Sequence, residues 1–61
     1  MAEQIVLNRE FLLKNIPEAS QYKDDDLEKS AFLQMALATK YLGKEYLTEG
    51  QVRNILEMHK I

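Results

Sequence analysis

Apolar residues recur along this chain at two spacings, and the contrast between them organises the reading. From Leu27 to Leu42 (LEKSAFLQMALATKYL) they fall on nearly every side of a helix, whereas from Thr48 to Lys60 they keep to one face. In the first stretch Leu27, Ala31, Met35, Ala38 and Leu42 form the stripe of a core-facing helix at 100° per residue. A second set, Leu33, Leu37 and Tyr41, repeats at i, i+4, i+8 on the opposite flank, with Phe32 and Ala36 between. Ser30 and Gln34 soften that flank without breaking it. The pattern predicts one long helix from about Asp26 to Leu42, stopped by Gly43 in the left-handed position that a glycine tolerates at a helix end.

A helix apolar nearly all round is buried on several sides, and a short chain has little to bury it with. Three of its ten apolar residues are Ala, tolerated on exposed faces, so the true surplus narrows to Leu33, Leu37 and Tyr41, with Phe32 beside them. These four are the expected interface with a second chain.

The remaining elements follow from caps and breakers. Asn8 reads as the N-cap of a short helix from about Arg9 to Asn15, with Glu10 in its first turn, and Pro17 ends it. Residues 3–7, with the apolar run Ile5-Val6-Leu7, fit either a strand or a first helical turn. Pro17 to Lys23 reads as a connector in which Pro starts a helical turn and Tyr22 folds back onto the core. Asp25 and Glu28 form an Asp/Glu capping box ahead of the central helix. Thr48 and Gln51 form a second, opening an amphipathic helix with Val52, Ile55, Leu56 and His59 on one face and Arg53, Glu57 and Lys60 opposite. Gly50 in its first turn is a poor helix former, by up to about 1 kcal/mol. The short connection makes the last two helices an antiparallel or steeply crossed hairpin. The expected fold is all-α: one domain over residues 1–61, completed by dimerisation.

Composition narrows the chemistry. With no Cys among 61 residues, disulfides and thiolate metal sites are excluded, and oligomerisation is the remaining staple for so small a core. An apolar fraction of 46% with 30% charged residues is that of a folded domain. No run reaches membrane-spanning length and no signal-peptide order is present, so a cytoplasmic location is expected. The net charge is −2: residues 1–30 carry four basic against seven acidic side chains, and residues 31–61 four against three. Neither half has the basic excess of a phosphate-backbone binder.

Asp24 to Asp26 lack the alternating ligands, turn glycine and terminal Glu of a calcium loop, so no metal is expected there. His59 stands alone, without the orienting partner and nucleophile that a catalytic base needs, and reads as a packing or interface residue. No phosphate loop, nucleophile elbow or zinc-protease motif occurs. No catalytic residue and no cofactor is therefore assigned, and an enzyme is not expected.

The segment at 46–60, YLTEGQVRNILEMHK, through Leu47, Thr48, Glu49, Gln51, Val52, Ile55 and Leu56, resembles the small helical units of the N-terminal domain of type II secretion and pilus assembly ATPases, bacterial proteins in which such units dock partners. The family's Arg-Leu-Gly signature is missing, and Glu45 or Tyr46 stands where its glycine falls. The resemblance therefore implies a helical docking role and carries over no ligand-binding residue.

Two function classes follow. The favoured one is a protein-interaction module, an adaptor, inhibitor or assembly factor, acting as a homo-oligomer or on another protein through the Leu33, Leu37, Tyr41 face or the acidic patch around Asp24 to Asp26. The alternative is a small dimeric DNA-binding regulator or antitoxin, in which Arg53, Asn54 and Lys60 on the last helix contact nucleic acid. The acidic balance disfavours it.

Overall fold

A computed structural model describes residues 7–61, all-α with four α-helices among the described residues: α1 (Arg9–Asn15), α2 (Asp24–Lys29), α3 (Ala31–Tyr41) and α4 (Glu49–His59). A 3-10 turn, Pro17–Gln21, links α1 to α2. The strand-or-helix question at residues 3–7 lies outside the described residues except for Leu7, which has no regular structure and packs half-buried against the core.

Local chemistry set the outer boundaries where the caps placed them. Asn8 accepts from the Phe11 N–H at 2.8 Å, so α1 opens at Arg9. Ile16, next to Pro17, is extended at φ −127° and ψ 102°, which ends it. Gly43 takes φ +71° after α3, and the Lys44 N–H turns back to the Ala38 carbonyl at 3.3 Å. At α4 both halves of the Thr48/Gln51 capping box form: Thr48 Oγ1 accepts from the Gln51 N–H at 3.2 Å, and Gln51 Oε1 from the Thr48 N–H at 3.0 Å.

The long central helix is instead two. Ser30 is extended at φ −89° and ψ 103°, and its hydroxyl accepts from the Leu33 N–H at 3.2 Å as the N-cap of α3. Gln34 completes the break. Its amide donates to the Leu27 and Glu28 carbonyls at 2.9 and 3.0 Å, satisfying acceptors that the end of α2 leaves open. The two polar residues expected only to soften a helix face are the code for the break.

The reason lies in the core. In one continuous helix Leu27 and Leu33 would point about 120° apart. The kink lets both turn inward, and both are fully buried, as are Leu12, Ile16 and Leu37. The break also shifts the core side of α3, although Ala38 of the expected stripe stays buried. That side is Leu33, Ala36 and Leu37, while Ala31 is exposed and Met35 and Leu42 are half-buried. The cap of α2 differs as well: Lys23 occupies the N-cap position without a side-chain bond, and Asp25 lies inside the first turn with Asp24 and Asp26. All three carboxylates still sit at the positive helix end.

Two tertiary ties close the molecule. His59 at the end of α4 lies 2.9 Å from Asp26 of α2, Nδ1 to Oδ2. Beyond it, Lys60 forms an isolated antiparallel bridge with Tyr22, and the Ile61 N–H donates to the Gln21 carbonyl at 3.0 Å.

Candidate interaction surface

The feature with room for a partner is an open groove of about 740 Å³ along α4, between it, the end of α3 and Tyr22. Its apolar floor is Tyr22, Leu47, Val52 and Leu56; Lys40, Glu49, Arg53, Glu57 and Lys60 form its rim, with Thr39 at one side. Amphipathic spacing builds this arrangement. Val52 and Leu56 lie one turn apart on the inner edge of α4, and Glu49, Arg53 and Glu57 follow the same spacing on the adjoining outer edge. The capping box fixes where α4 begins and hence which residues reach the groove. Leu47 is positioned by the loop that Gly43 turns, held further by the Tyr46 N–H to Thr39 Oγ1 at 3.3 Å.

Tyr22 is buried, and its phenol is pushed above the ordinary value of 10.0, first by that burial and then by the neighbouring Tyr41 and Glu18. None of the five charged rim residues forms an ion pair among the described residues. The two pairs present there are Arg9–Asp24 at 3.3 Å and His59–Asp26, both away from the rim.

The surface anticipated at Leu33, Leu37, Tyr41 and Phe32 does not form as a face. Leu33 and Leu37 have no exposed area, because α2 folds back at Ser30 and the chain covers them itself. Tyr41 is half-buried, with the Lys40 ammonium 5.2 Å from its ring centroid. Phe32 alone is exposed, at 62%. Tyr46, Met58 and Ile61 are further exposed apolar side chains, on the loop, the far flank of α4 and the chain end.

The residues considered for nucleic acid do not converge either. Arg53 and Lys60 line the groove beside Glu49 and Glu57, while Asn54, about 100° round the helix from Arg53, does not. Carboxylates at i−4 and i+4 to Arg53 oppose a phosphate there. His59 gained the partner that the sequence did not disclose. Asp26 lies 33 residues away, and no local spacing could have named it. No hydroxyl is hydrogen-bonded to that pair among the described residues, and no group of three or more metal-ligating side chains occurs among them. No helix among the described residues is long and apolar enough to cross a membrane.

The chain matches no protein-family model, no curated protein and no solved structure.

Proposed function

We propose that this chain is a non-enzymatic protein-interaction module of the cytoplasm, an adaptor, inhibitor or assembly factor, in which α3 and α4 form a helical hairpin and the groove along α4 receives the partner. One observation carries the reading: an apolar floor is bordered by five charged side chains that find no ion partner among the described residues. Such a border sets register and excludes wrong partners, while the floor supplies the affinity. The partner is a second copy or another protein. The docking role implied by the resemblance at residues 46–60 agrees with this, since those residues supply α4 and most of the groove.

Site-specific photocrosslinking in living cells tests it. A photoreactive residue at Arg53, in the groove rim, should give discrete protein adducts that one at Lys14, on α1, does not. Equal labelling from both positions, or none, would sink the reading. Adducts to nucleic acid from Arg53 would replace it with the DNA-binding alternative.

A further inference from the structure

The break at Ser30 is closely balanced against an unbroken helix. The Gln34 amide fills the Leu27 and Glu28 carbonyls, and the Ser30 hydroxyl takes the Leu33 N–H. In a continuous helix the N–H groups of Ala31 and Phe32 would fill those two carbonyls, and Leu33 would donate to the Lys29 carbonyl. Two side chains therefore stand in for helical backbone bonds, and straightening the chain from α2 through α3 exchanges hydrogen bonds without a net loss. Ser30 is the one residue between these helices. Its conformation alone decides whether they are one helix or two.

The rest of the fold divides at the same point. Leu12, Ile16 and Leu27 before it are buried in one cluster with Leu33, Leu37 and Leu56 after it. Polar ties cross the division as well: Asp26 to His59, Tyr22 to Lys60, and Gln21 to Ile61. None of these contacts needs the two halves to belong to one chain. With the hinge straight, Leu27 and Leu33 point about 120° apart, so Leu27 faces one interior and Leu33 another. A helix apolar nearly all round suits a position between two such interiors. The bent form instead places both leucines in one.

We infer that Ser30 is the hinge of a domain swap, in which the helix straightens and the part of each copy before Ser30 packs on α3 and α4 of a second copy. Each half of the dimer then repeats the fold of the monomer, with Asp26 of one copy against His59 of the other. A second copy is the occupant because the surface that each half already fits is carried by this chain. The swap stands apart from the reading of the groove, which the dimer rebuilds with Tyr22 and Leu56 from different copies.

Sedimentation equilibrium from about 10 μM to 1 mM tests it, since a short hinge holds its two halves together at a millimolar effective concentration. Circular dichroism is the folding control. The parent chain should be monomeric at the low end and partly dimeric at the high end. Ser30→Ala removes the cap of the bent form and favours the straight helix, so with two hinges per dimer it should strengthen association about tenfold or more. Ser30→Gly keeps a tolerated cap residue and penalises the straight helix, so it should weaken association. In a dimer of isotope-labelled and unlabelled Ser30→Ala chains, isotope-filtered NMR should place Tyr22 of one chain against Lys60 of the other. A monomer for both the parent and Ser30→Ala up to about 1 mM would overturn the inference. So would the two substitutions shifting association in the same direction, or a dimer whose Tyr22–Lys60 contacts stay within one chain.

Discussion

The helices α3 and α4 each have 11 residues and pack on one another, yet they solve opposite problems. In α4 the apolar residues other than Met58 keep to one side, so a single packing contact buries Val52 and Leu56 and leaves a charged edge for water or a partner. In α3 they go nearly all round, and Leu33, Ala36, Leu37 and Ala38 are all buried because α2 and α4 pack on the helix. An apolar surplus on one helix is therefore no measure of exposed surface. What matters is whether the chain can turn sharply enough to cover it, and here Ser30 and Gln34 provide that turn.

The comparison breaks most sharply at Leu37. Leu37→Ala should cost about 2–5 kcal/mol, the range for emptying a tightly packed core site. A domain of this size has only on the order of 3–9 kcal/mol to lose. Thermal unfolding followed by circular dichroism should show a drop of tens of degrees or a chain unfolded at 25 °C, while Arg53→Ala on the edge of α4 should shift stability by under about 0.5 kcal/mol. A mild Leu37→Ala would mean that α3 is not enclosed as the structure has it.

A smaller effect isolates the kink. Ser30→Ala removes the hydroxyl that caps α3 and should cost about 1 kcal/mol by urea titration. If the variant were more stable, the continuous helix would be the better structure and the break a feature without consequence.

Least visible at neutral pH is Tyr22. Its folded pKa is raised above the unfolded value of 10.0, so the buried neutral phenol contributes stability that is whole below pH 10 and fades as pH rises through the folded pKa. Tyr22→Phe should change little at pH 7 and should move the alkaline unfolding transition to higher pH. An unchanged alkaline transition would show that Tyr22 does not govern it.

How much of this was legible depended on the range of the interaction. Asn8, Pro17, Gly43 and the Thr48/Gln51 box act within four residues, and each did in the structure what its type and position dictate. The inner edge of α4 was equally readable, since its periodicity is uninterrupted. The groove was legible only in part: its α4 wall was visible as an amphipathic face, but Tyr22 and Thr39 reach it through tertiary packing. Leu33 and Leu37 were misplaced because periodicity reports that a residue will be buried without saying by what.

By itself the sequence determined a helical fold, the ends of α1, the start of α4 and the stop after α3, because backbone hydrogen-bond satisfaction and side-chain periodicity are settled by near neighbours. Tertiary structure alone decided whether Ser30 would sit inside a helix or cap one, which side of α3 became core, and that Asp26 would meet His59. Serine's preference for a cap is worth only about 1 kcal/mol, too little by itself to break a helix, so the burial of Leu27 and Leu33 in one interior completed the choice.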